Sequence, residues 1–105
     1  MSNIEQEIVE GQRQGKRYSE FLRVATMSAG VYVLAAGATD RQSPHTEDEI
    51  YYVVRGRSKF RQGETETAIG PGDLLFVPAR APHHFHSITE ELVLLVVFSP
   101  PERNG

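Results

Sequence analysis

The sequence predicts a single all-β domain, a sandwich or barrel, and three observations carry that expectation. Short apolar runs rich in β-branched and aromatic residues recur along the 105 residues. Glycine and proline punctuate them, as in Gly70-Pro71-Gly72-Asp73. Beyond residue 20 no stretch carries the 3.6-residue apolar period of an amphipathic helix. Short strands of this kind bury one face against another sheet or close on themselves.

The elements follow in order. Residues 1–17 read as a polar lead that can serve as an arm to a partner subunit. The strand-rich body spans 18–100, and 101–105 form a tail. Within the body, 18–25 reads as a first strand and 31–35 as a second, entered through Ser28-Ala29-Gly30. Ile50-Tyr51-Tyr52-Val53-Val54 is a third, stopped at Arg55-Gly56-Arg57. Residues 58–61 and 65–69 flank Gln62-Gly63-Glu64 as a hairpin. A strand over 74–77 ends at Pro78, and the apolar run 92–98 precedes Ser99-Pro100-Pro101. Ile50, Tyr52 and Val54 are apolar on the face opposite Tyr51 and Val53. A homodimer formed through a sheet face follows as an expectation, because exposing that much apolar surface is unusual for a monomer.

Composition removes several functional classes. The net charge is −3, with acidic and basic residues interspersed, which is no electrostatic footprint for nucleic acid. Cysteine is absent, so disulfides, thiol nucleophiles and thiolate metal sites are excluded. No apolar run approaches the roughly 18 residues of a membrane span. The N-terminal residues show no apolar core of a secretory signal, so the expected location is the cytoplasm.

Three residues carry the chemistry. His45 and Glu49 are four apart, so in an extended strand their side chains share a face. His83 lies directly after Pro82, and a chain folded back on itself brings it to the other two. Two imidazoles and one carboxylate form the ligand set of a non-haem metal site with open positions. Iron, manganese, nickel and zinc all suit such donors, and the spacing does not choose among them. Glu47 shares the parity of His45 and Glu49, which makes it a substitute ligand or a catalytic base beside Glu49. His84 and His86 have the parity opposite to His83 and are expected to face outward.

The run Gly37, five residues, Ser43, Pro44, His45, three residues, Glu49, six residues, Gly56 resembles the first cupin motif. The run Gly72, five residues, Pro78, Ala79, Arg80, two residues, His83, three residues, Ser87 resembles the second. The resemblance covers roughly residues 20 to 100. It implies a small jelly-roll β-barrel of the double-stranded β-helix type, with a metal site inside the barrel. It also implies a ligand set of three histidines and one glutamate. Ser43 stands where the first histidine belongs, which leaves His45, Glu49 and His83.

Ser43, Gln42, Tyr51, Phe76 and Phe85 are the candidates to line a substrate pocket, although the rings also suit a plain core. By resemblance the function is that of a metal-dependent cupin enzyme, of dioxygenase, lyase or isomerase type. Its substrate would be a small oxygenated organic molecule. A non-enzymatic binding or sensing module with a degenerate metal site is the alternative.

Overall fold

The chain runs α1 (Ile4–Arg13), β1 (Tyr18–Val24), β2 (Met27–Leu34), β3 (Asp48–Gln62), β4 (Thr65–Ile69), β5 (Leu74–Val77) and β6 (His83–Ser99) in the computed structural model, which describes residues 2–103. Met1 of the lead and residues 104 and 105 of the expected tail lie outside the described residues. The strands form one antiparallel sheet in the order β1-β2-β6-β3-β4, with β5 also paired to β3. One edge of β3 is thus held by β6, and the other by β5 and then β4. Tyr51, Val53, Phe60, Phe85, Leu92, Leu94, Val96 and Phe98 fill the interior.

Both long strands change the face they bury partway along. In β3 the buried residues are Glu49, Tyr51 and Val53, then Gly56, Ser58 and Phe60. A one-residue slip turns every later side chain to the other face, so the switch from odd to even positions marks an irregularity near Gly56. Gly56 has φ +100, and its pairing with β6 shifts register on both sides. β6 makes the matching switch: His83 and Phe85 are buried, then Ile88, Leu92 and Leu94, with Ser87 at φ +52 between them. The two slips keep the inner face apolar along both strands. The expected break at 55–57 is therefore a bulge within one continuous strand, and the expected strand over 92–98 begins nine residues earlier.

The stretch read as a polar lead contains a helix. Asn3 caps it: its side chain accepts from the Gln6 N–H, and the Gln6 side chain accepts from the Asn3 N–H. Glu5 and Glu7 in the first turn and Arg13 in the last complement the helix dipole. Ile4 and Ile8, one turn apart, share a face, and Ile8 is buried with Val31 and Val93 against the outer side of the sheet. Gly11 lets the helix approach the sheet, since a Cβ there would stand 2.9 Å from the Ser19 Cβ. None of the described helices is long and apolar enough to cross a membrane.

Beyond the helix the outer face remains apolar. Ile50 pairs with Phe76 and Tyr52 with Leu74, and these four side chains are 47%, 59%, 40% and 71% exposed.

Candidate metal centre

Glu49 enters the interior as the second residue of β3, and His83 as the first of β6. His45 precedes β3, so its position comes from the loop and not from strand alternation. The loop after β5 holds it: the Arg80 N–H donates to the His45 carbonyl at 2.6 Å, and Ala79 N–H donates to Asp48 Oδ1 at 2.9 Å. Arg80 adopts φ +68 to do so. One donor atom from each of His45, Glu49 and His83 lies within 4.8 Å of the others.

The electrostatics of the group favour a cation. His83 Nδ1 is 2.9 Å from the Ala81 carbonyl, an arrangement that places a proton on Nδ1 and leaves Nε2 to face the site. Nε2 is 3.3 Å from Glu49 Oε1, a buried oxygen with no hydrogen-bond partner among the described residues. Burial by itself lowers the His83 pKa, yet the pKa ends above its ordinary value. The Glu49 carboxylate, the Ala81 carbonyl and Asp40 together outweigh the desolvation. Two buried lone-pair donors this close need positive charge between them. A divalent metal on the same three residues fits that need.

A cavity of about 170 Å³ adjoins the group, lined by Tyr18, Tyr32, Gln42, Tyr51, Val96, Phe98 and Glu102 together with His45 and Glu49. A polar chain crosses its wall. Asp40, nearly buried, accepts from the Tyr32 hydroxyl at 2.7 Å, from Gln42 Nε2 at 2.8 Å and from the Phe85 N–H at 2.9 Å. Gln42 Oε1 in turn lies 3.0 Å from the Tyr51 hydroxyl, which is also 3.1 Å from His83 Nε2. Burial raises the pKa of Tyr18, Tyr32 and Tyr51 well above the ordinary phenol value, with help from Glu102 at Tyr18, Asp40 at Tyr32 and Glu49 at Tyr51. All three therefore stay protonated donors at neutral pH. The Tyr18 hydroxyl has no partner among the described residues, and Gly30 makes room for it. Among the described residues no lysine or arginine lines the cavity.

The structure sorts the expected pocket residues. Gln42 and Tyr51 line the cavity. Ser43 lies in an adjoining outer hollow with Pro44, Glu47 and Glu102. Glu47 is buried there, its carboxylate accepting from the Thr46 hydroxyl, and it stands apart from the three-residue group. Phe76 is a correction: it pairs with Ile50, not with a pocket residue, so β5 turns it to the outer face while Leu75 and Val77 face in. Phe85 is a second correction. It points inward but packs between Tyr51 and Phe60, with ring centroids 5.0 and 4.8 Å away, and does not reach the cavity. His84 and His86 lie on the outer side, where His86 pairs with Glu66. Sequence reasoning missed Tyr18, Tyr32, Asp40 and Glu102. Only Asp40 carried a signal, as an isolated acid two residues before Gln42.

Known proteins share this fold. An uncharacterized protein of Streptomyces coelicolor is 51% identical over 85 residues, covering 81% of each chain. Dimethylsulfoniopropionate lyase DddQ of Ruegeria pomeroyi is 28% identical over 74 residues, 70% of this chain and 37% of that one, so the match spans little more than a third of the lyase. The crystal structure of TT1209 from Thermus thermophilus superposes with a TM-score of 0.76 at 24% identity, covering 96% of this chain and 97% of that one. The family model of the cupin domain matches residues 30–98. Strand order, inward-facing site and family match together make this chain a member of the cupin family.

Proposed function

We propose that this cupin is a metal-dependent enzyme in which His45, Glu49 and His83 hold one divalent transition metal, iron, manganese, nickel or zinc. Its substrate is a small oxygenated organic molecule bound in the adjoining cavity. The observation that carries the reading is the unpartnered, buried Glu49 Oε1 facing His83 Nε2. A bound metal supplies a Lewis acid for a substrate oxygen, and oxygen chemistry if it is iron. The chain supplies the rest. Tyr18 offers an unpaired hydroxyl donor to a second substrate oxygen, and Val96 and Phe98 exclude water. Glu47 lies outside the cavity, so the groups placed to take or give a proton are Glu49 and the Tyr51 hydroxyl. Of the dioxygenase, lyase and isomerase types, these protic groups and the named activity of the DddQ relative favour a lyase.

Metal analysis of protein purified without added metal or a histidine tag is the test, followed by turnover on dicarbonyls, catechols, keto acids and dimethylsulfoniopropionate. Near-stoichiometric metal with conversion of one substrate is expected. Protein that stays metal-free when offered iron, manganese, nickel and zinc would overturn the reading. Ser43, exposed and outside the three-residue group, favours the second reading, a binding or sensing module whose site has lost a ligand. Metal-independent ligand binding without turnover would establish that one.

The exposed Ile50, Tyr52, Leu74 and Phe76 also lead us to propose a homodimer through this outer face. A two-fold axis brings such a patch against its own copy. Light scattering should give twice the 11.7 kDa chain mass, and Phe76→Glu should reduce it to the monomer. A wild-type monomer at micromolar concentration would refute the dimer.

A further inference from the structure

Glu102 lies beyond β6 and matches neither cupin motif, yet it reaches the metal centre. Its backbone is tied on both sides to the β1–β2 hairpin: the N–H donates to the buried Ser28 hydroxyl at 2.9 Å, and Arg23 Nη2 donates to the carbonyl at 2.7 Å. Its side chain, only 16% exposed, brings Oε2 to 3.5 Å from His45 Nδ1. It forms part of the wall of both the cavity and the outer hollow. Its carboxylate is not among the three donors that lie within 4.8 Å of one another.

We propose that Glu102 is the positioning residue of His45, drawing the ring proton to Nδ1 so that Nε2 is the nitrogen presented to the metal. This rests on the metal-centre reading above and extends it to a residue outside the motifs. At His83 the Ala81 carbonyl, 2.9 Å from Nδ1, already takes the part that Glu102 takes at His45 from 3.5 Å. A neutral imidazole carries one proton, and the acceptor beside one nitrogen decides which lone pair is free. Carboxylates and carbonyls in this role fix the orientation of a ligating ring and raise its basicity. His45 has special need of such a partner. It sits on a loop, held through its backbone by the Arg80 N–H, and belongs to no strand among the described residues.

The test compares full-length wild type, Glu102→Ala and Glu102→Gln by zinc titration against a chromophoric chelator. Nitrogen-15 spectra of the histidine rings in metal-free protein are recorded well above the ordinary histidine pKa of about 6.5. Glu102→Ala is expected to weaken zinc binding about 10- to 100-fold, and Glu102→Gln, whose amide oxygen still accepts, by less than about tenfold. His45 should carry its proton on Nδ1 in wild type and Glu102→Gln and shift toward Nε2 in Glu102→Ala, while His83 stays unchanged. The cobalt(II) absorption of the saturated variants should keep the wild-type band positions and intensities. A changed spectrum would make Glu102 a direct ligand and overturn the positioning role. Zinc affinity within about twofold of wild type, with the His45 tautomer unmoved in Glu102→Ala, would overturn it as well. Should wild type take up no zinc, the metal-centre reading falls, and the ring spectra still decide whether Glu102 orients His45.

Discussion

Replacing Glu49 by alanine is expected to empty the metal site without unfolding the protein. Glu49 is the only carboxylate in the three-residue group, so the variant leaves two neutral imidazoles to hold a dication. Losing an outer partner of a metal ligand costs about 10- to 100-fold in affinity, and losing an anionic ligand itself should exceed that. Metal content should therefore fall from near-stoichiometric to background, and His83→Ala should behave the same way. Stability separates this from misfolding. Among the described residues the buried Glu49 Oε1 has no hydrogen-bond partner, a costly arrangement for a desolvated group. Without metal, Glu49→Ala should melt at or above the wild-type temperature. With metal at about 100 times its dissociation constant, only the wild type should gain roughly 2.7 kcal/mol. Retention of full metal occupancy by Glu49→Ala would move the site elsewhere, and His84, His86 and Glu66 on the outer face would be the next residues to examine.

The sequence was legible where one period or one spacing decided the outcome. The 65–69 and 74–77 strands have the bounds the sequence suggests, because turns containing glycine or proline close them on both sides. His45, Glu49 and His83 come together as their spacing implies, although for His45 the cause is the loop that grips its carbonyl. What escaped depended on pairing. Phe76 looks like a pocket residue until β5 is laid against β3 and Ile50 becomes its partner on the outer face. The front half of β6 carries His84, His86, Thr89, Glu90 and Glu91, whose polarity hides a strand held in place by β3. The helix was written in Asn3, Gln6 and the Ile4–Ile8 spacing, but one short apolar stripe is easily lost in a polar average. Glu102 is a different case. Nothing local distinguishes it, since its place at His45 follows from contacts with Ser28 and Arg23, more than 70 residues earlier in the chain.

Gly56→Ala is expected to be the most damaging small substitution in the barrel. The residue has φ +100, a conformation that side chains with a Cβ rarely adopt. An added Cβ would also stand 2.2 Å from the Glu91 carbonyl oxygen and 2.6 Å from the Leu92 Cα, both backbone atoms of the neighbouring strand. Neither can turn aside as a flexible side chain would. Backbone strain of about 1–3 kcal/mol and overpacking of about 1–3 kcal/mol act together here, so a loss of roughly 3 kcal/mol or more is expected. For a domain of this size that corresponds to a melting temperature lower by roughly 12 °C or more. Gly63 is the control. It also has positive φ, but a Cβ there meets nothing within 4 Å, so Gly63→Ala should lose only about 1–2 kcal/mol. Equal losses in the two variants would mean that the close approach of β3 to β6 at Gly56 is not what sets the cost. The slip at Gly56 is also what lets Glu49 and Tyr51 on one side, and Ser58 and Phe60 on the other, all face inward along a single strand. Even where Gly56→Ala folds, relaxation of that bulge shifts β3 against β6 and moves Glu49 relative to His83. Metal affinity should therefore fall in Gly56→Ala.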